Sequence, residues 1–188
     1  MEIHPSLVIR GMLVGFIVVI ALTTFITANA TSPLQNQEQT TLPPSSETEG
    51  CDVSRAFPQK VRRWCELIEQ GAKKHDLSPN LLAALIWQES GGNPSAYSRS
   101  GAVGLMQVMP RDGIAKNFQC ANGPCFAKRP TIAQLKDPEF NIEYGARMLA
   151  NLVKRRGSLR EALKAYGPMD VGYYYADKVL GIYKKYGD

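Results

Sequence analysis

Histidine and cysteine are scarce in this sequence: two of the first (His4 and His75) and four of the second in 188 residues. That leaves little material for a metal site. No glycine-rich phosphate loop and no nucleophile elbow is present, which removes the commonest signatures of nucleotide binding and of serine hydrolases. There is no sustained alternation of β-branched residues, so a large sheet is not expected. No internal repeat is found. Apolar residues nevertheless make up 44% and charged residues 21%, ordinary globular usage that excludes a collagen-like or wholly disordered chain.

Charge is missing altogether from Met12 to Ala28, a run of 17 residues (MLVGFIVVIALTTFITA). A membrane-spanning helix wants ~20 apolar residues and a signal-peptide core ~7–15. The run lies between the two. Ala28-Asn29-Ala30 matches a small-x-small cleavage site and favours a cleaved signal peptide over a retained anchor through residues 12–28. Either fate for residues 1–30 places the rest of the chain outside the cytoplasm. Residues 31–50 lack any base and have only two large apolar side chains, Leu34 and Leu42. Such a stretch cannot bury enough surface to offset chain entropy and reads as a flexible, disordered linker. Setting aside Glu2, Arg10, Glu38, Glu47 and Glu49 leaves 21 basic and 13 acidic side chains in residues 51–188, a net +8. That balance suits an anionic partner. The bases are scattered apart from Arg62-Arg63 and Lys154-Arg155-Arg156, and no nucleic-acid reader motif accompanies them.

All four cysteines fall in the exported part, where disulfides are the default. Four cysteines allow three pairings. Locality favours Cys51 with Cys65, pinning the start of the domain to its first helix, and Cys120 with Cys125, closing the loop CANGPC. A zinc site is the competing reading, but the spacings match no ligand pattern and no histidine lies near.

The 51–188 region reads as nearly all helix. Arg55 to His75 has Phe57, Val61, Trp64, Cys65, Ile68 and Ala72 at helical spacing. Ser78-Pro79 opens a helix through NLLAALIWQES that Gly91-Gly92 ends. Asp137-Pro138 opens a long helix stopped at Gly157, and Ser158-x-x-Glu161 is a capping box for LREALKAY. A last helix covers VGYYYADKVLGIYKKY. Residues 95–109 have room for a small hairpin.

One carboxylate is out of place. At 100° per residue, Leu82, Leu85, Ile86 and Glu89 point to about 0°, 300°, 40° and 340° around their helix. Glu89 therefore continues an apolar stripe. Desolvation there favours the neutral carboxyl and raises its pKa, as a general acid requires. The helix ends at the same place, so Glu89 sits at the mouth of a loop.

That loop, residues 89–110, reads ESGGNPSAYSRSGAVGLMQVMP. It resembles the lysozyme-like domain of the soluble lytic transglycosylase family, with its pattern E-S-x-x-N-P-x-A followed by S-x-x-G-A-x-G-L-M-Q-x-M-P. The likeness continues through Asp137-Pro138, Asn141-Ile142-x-x-Gly145 and Ala165-Tyr166 to Val179 and Tyr183, covering residues 61–186. Three departures stand out. The family's Asn after Ala-Tyr is Gly167 here. Met148 occupies a position where Tyr is common. The loop 111–130, with its cysteine pair, replaces a short Thr-Ala segment.

The resemblance implies a mainly α, lysozyme-like domain over residues 51–188 that cuts the β-1,4 bond between N-acetylmuramic acid and N-acetylglucosamine in peptidoglycan. Glu89 would be the single acid and base, leaving 1,6-anhydro ends, with no metal or other cofactor. Ser90, Ser98, Gln107, Met109 and Tyr166 match the substrate-binding set. Ser90 either orients the acid or caps its helix. Gln107 can donate and accept hydrogen bonds, suiting acetamido groups. Asp112, the nearest other acid in sequence, reads as a turn or surface residue. Among the late tyrosines 173, 174, 175, 183 and 186, most read as packing or surface, with one flanking the cleft. The implied partner is the glycan strand of the wall, met by a monomer acting outside the cytoplasm. The same fold also admits a lysozyme-type hydrolase, with water as nucleophile, or a noncatalytic wall-binding module.

Overall fold

Six consecutive residues, Leu81 to Ile86, are all buried. A helix apolar on every side belongs in the centre of a domain, and α3 (Pro79–Ser90) takes that place. The computed structural model describes residues 50–187. The apolar run 12–28 and the linker up to residue 49 lie outside the described residues. Around α3 pack α1 (Gln59–Arg62), α2 (Cys65–His75) and α7 (Tyr174–Tyr186). A second layer is built on α5 (Pro138–Arg156), which meets α2, the short α4 (Ile132–Leu135) and α6 (Leu159–Tyr166). α6 in turn contacts α7. The mainly helical reading therefore holds. Among the described residues no helix is long and apolar enough to cross a membrane.

Helix ends follow local chemistry. Pro79 occupies the first turn of α3, and Gly91 and Gly157 close α3 and α5 in left-handed backbone. Asp137 Oδ1 accepts the Phe140 N–H at 2.7 Å, a side-chain cap typically worth ~1 kcal/mol. Ser158 accepts from the Glu161 N–H, but the expected box is only half formed: the Glu161 carboxylate takes the Tyr173 hydroxyl instead. A complete box occurs at Thr131 and Gln134, opening α4.

Two expectations are corrected. Arg55–His75 is not one helix. It breaks at Arg63-Trp64, where the Trp64 Nε1–H reaches across to the Gly92 carbonyl at 3.0 Å and anchors the end of α3. Residues 95–109 form no hairpin strands, only the single bridges Tyr97–Val103 and Val103–Val108. The hairpin lies later, Gln119–Cys120 (β1) against Gly123–Pro124 (β2). The disulfides join Cys51 to Cys65 and Cys120 to Cys125. All four sulfurs are thus committed, and Glu69, which lies near the first pair, has no thiolate beside it to share a metal.

Candidate active site

Glu89 occupies the last turn of α3, partly buried, and faces α7. There Tyr175, 7% exposed, donates its hydroxyl hydrogen to Glu89 Oε1. Burial pushes the Glu89 carboxyl up to about 7, and the Tyr175 hydrogen bond opposes that rise. Burial, and then the negative charge of Glu89, drive the Tyr175 hydroxyl well above its ordinary range, so it stays a donor. Room for this tyrosine comes from Gly167. A Cβ there would lie 2.4 Å from the Tyr175 ring. Tyr175 therefore packs where only glycine at 167 leaves room for its ring.

The loop after α3 is assembled on one buried amide. Asn141 of α5 is fully buried. Its Oδ1 accepts the Met106 N–H at 2.8 Å, and its Nδ2 donates to the Val103 and Leu135 carbonyls at 2.9 Å each. The approach is so close that a Cβ on Gly104 would sit 2.3 Å from Asn141 Nδ2, and Gly104 also has φ +79°. Both conditions require glycine. At Gly145, one turn along α5, a Cβ would meet Met106 Sδ at 2.5 Å, so Met106 presses directly on the α5 backbone.

The other sequence-predicted residues are distributed around this frame. Ser90 donates to the Leu105 carbonyl at 2.8 Å and the Ile86 carbonyl at 3.2 Å, and accepts from the Gly92 N–H. Its hydroxyl thus fastens the end of α3 to the loop and keeps one acceptor lone pair. Ser98 Oγ accepts the Ala102 N–H at 2.9 Å, and its own hydrogen has no partner among the described residues. Gln107, at φ +45°, commits both amide hydrogens to the Gly104 and Ala96 carbonyls at 3.0 and 3.2 Å. Only its side-chain oxygen remains free, so it can accept but not donate. Met109 is partly buried beside the buried Pro110. Tyr166 donates to the Met106 carbonyl at 2.9 Å, and its own titration is raised by burial and then by Glu89. Asp112 is a turn residue, its Oδ1 accepting the Ile132 N–H at 2.8 Å. His75 pairs with Glu143 at 3.1 Å on the α2–α5 face.

This arrangement is a desolvated carboxyl at a helix end, with one tyrosine donor on it and a tightly braced loop beside it. Residues 66–172 match the family model described as the Transglycosylase SLT domain. The chain belongs to that family. Among relatives of the domain, the "Membrane-bound lytic murein transglycosylase E" of Buchnera aphidicola is 32% identical over 106 residues, 56% of this chain and 47% of that protein. The "Endo-type membrane-bound lytic murein transglycosylase A" of Klebsiella pneumoniae is 35% identical over 94 residues, 50% of this chain and 45% of that one. The chain thus spans about half the length of these curated relatives. In three dimensions the SLT fold is matched by an inactive glutamate-to-glutamine mutant of the lytic transglycosylase Slt from Pseudomonas aeruginosa. The TM-score is 0.52 at 26% identity, over 70% of this chain and 24% of that one.

Proposed function

We propose that this SLT-family chain is a peptidoglycan lytic transglycosylase with Glu89 as its single acid and base. The observation that carries the reading is the Glu89 carboxyl itself: pushed up to about 7 by burial, with Tyr175 the one hydrogen-bond donor that opposes the rise and no second carboxylate contributing. A general acid works best with a pKa near the working pH. Two-carboxylate glycosidases hold their acids ~5–9.5 Å apart; in this reading the substrate's own acetamido group takes the second role.

The chemistry follows in two halves. Protonated Glu89 gives its proton to the glycosidic oxygen as the bond to the muramyl anomeric carbon breaks. The substrate's 2-acetamido oxygen supports the positive charge that develops there. Glu89, now a carboxylate steadied by the Tyr175 hydroxyl, then takes the proton of the muramyl 6-hydroxyl. That oxygen closes on the anomeric carbon and leaves a 1,6-anhydro end. Burial favours the acid half of the cycle and Tyr175 the base half. Ser98 offers a donor and Gln107 an acceptor to the sugar amides and hydroxyls, while Met109 and Tyr166 supply apolar and aromatic walls. Two of the relatives named above are called membrane-bound lytic murein transglycosylases. Together with the paired cysteines this supports action outside the cytoplasm by a secreted or membrane-held protein.

Tyr175→Phe removes the donor that favours the carboxylate. The Glu89 pKa then rises further, the basic limb of the kcat/KM profile moves to higher pH, and kcat falls about tenfold. A pH-rate series on both proteins checks this. The reading as a whole is tested by digesting purified sacculi with the full chain and weighing the fragments. Anhydro-muramyl ends are expected. Reducing ends would make the enzyme a hydrolase that uses water, and no release would make the domain a binding module.

A further inference from the structure

The loop 111–130 carries four bases, Arg111, Lys116, Lys128 and Arg129, against one acid, Asp112. Asp112 is occupied by the Ile132 N–H. The loop is held firmly for an excursion of its length. The Cys120–Cys125 disulfide closes its tip. Phe118 and Phe126 meet edge to face at 5.9 Å, and the Arg111 N–H donates to the Pro130 carbonyl at 3.0 Å. Pro130 is buried, and the capping box at Thr131 follows at once. Arg129 is therefore delivered from a fixed base.

Its side chain is partly buried and lies against α5, with Nη1 in contact with Met148 Sδ. Met148 is one turn beyond Gly145, which packs on Met106, and the Met106 carbonyl receives the Tyr166 hydroxyl. The guanidinium thus lies on the Tyr166 side of α5, close enough for its charge to be felt at the Tyr166 hydroxyl, which in turn feels Glu89. The ion pairs among the described residues join Lys74 and His75 to Glu143 and Arg160 to Asp177. Arg129 takes part in none of them. A guanidinium has five donors in a planar fork that matches a carboxylate. Here the fork rests on a thioether, a weak acceptor, and has no counter-ion among the described residues.

We propose that Arg129 is a specificity-determining residue that binds a carboxylate carried by the muramyl unit of the strand. The inference rests on the peptidoglycan reading above and adds to it a recognition element that the departing loop supplies. On a bare glycan the carboxylate is that of the lactyl group. On a peptide-bearing strand the lactyl carboxyl is an amide, and the carboxylate is that of an acidic residue in the stem. Unsubstituted N-acetylglucosamine oligomers have neither.

The test measures binding by calorimetry in the full chain carrying Glu89→Gln, so that substrate is not consumed, with and without Arg129→Gln. Loss of affinity of about ten- to hundredfold is expected for the carboxylate-bearing strands, the size of one charge-assisted contact. Affinity for N-acetylglucosamine oligomers stays the same. Loss on bare strands alone assigns the lactyl group, and loss on peptide-bearing strands alone assigns the stem; either supports the proposal. Arg129→Lys, which keeps the charge without the fork, recovers part of the affinity and serves as the second variant if the Gln protein folds poorly. Unchanged affinity for both muramyl ligands, or an equal loss on all three, would overturn the proposal and leave Arg129 as a brace for its loop. A wild-type protein that releases no anhydro ends ends the transglycosylase reading, while this binding result stands by itself.

Discussion

Glu89→Gln is expected to lower the rate of wall cleavage by at least about 10³-fold. A positioned acid or base contributes ~10²–10⁴-fold, and in this site one carboxyl performs both tasks. Glutamine keeps the shape and still accepts the Tyr175 hydrogen, so the fold persists. Stability moves in the opposite direction to activity. The folded-state pKa is raised to about 7 from an ordinary 4.5. Between those values the folded chain holds a proton that the unfolded chain has released, so stability falls as pH rises through that window. Above pH 7 the buried charge costs up to about 3 kcal/mol. The Gln variant carries no such burden. Its melting temperature is therefore expected to exceed the wild type's at pH 8 and to approach it at pH 4, which scanning calorimetry reads directly. A variant that retains cleavage would remove Glu89 from the chemistry.

Asn141→Leu should destabilise the domain by about 3–5 kcal/mol, a large part of the ~5–15 kcal/mol typical of a folded domain. Leucine fills a similar volume but strands the Met106 N–H and leaves the Leu135 carbonyl without its amide donor. Buried polar groups left without partners cost ~1–3 kcal/mol each. The loss extends to function, because residues 103–107 hang on this amide and the Met106 carbonyl positions Tyr166. Urea unfolding measures the stability term. A change below about 1 kcal/mol would mean that the loop is held by something other than Asn141.

Much of this is legible in the sequence. Proline and glycine at the helix ends bounded α3 and α5 within a residue, because caps are local chemistry. The position of Glu89 on the stripe of Leu82, Leu85 and Ile86 anticipated its desolvation, although the burial of Leu81, Ala83 and Ala84 as well makes α3 a central helix and not an amphipathic one. What escaped was non-local. Tyr175 is separated from Glu89 by 86 positions and stands in a run of three tyrosines with nothing to single it out. Gly167, where a Cβ would meet the Tyr175 ring, carries no sign of that partner in the sequence. The break at Trp64 depends on the Gly92 carbonyl, 28 residues away. Asn141 stood in a recognisable pattern without a visible reason. The capping box at Thr131 and Gln134 carries its own local signal, Thr-Ile-Ala-Gln, of the same kind as Ser158-x-x-Glu161.

A carbon-13 NMR titration of the Glu89 side-chain carboxyl, assigned by its disappearance in Glu89→Gln, tests the central claim most directly. A midpoint near 7 is expected from a carboxyl desolvated at the end of α3 with Tyr175 as its donor. A midpoint near 4.5, the value of a carboxylate in open water, would contradict it.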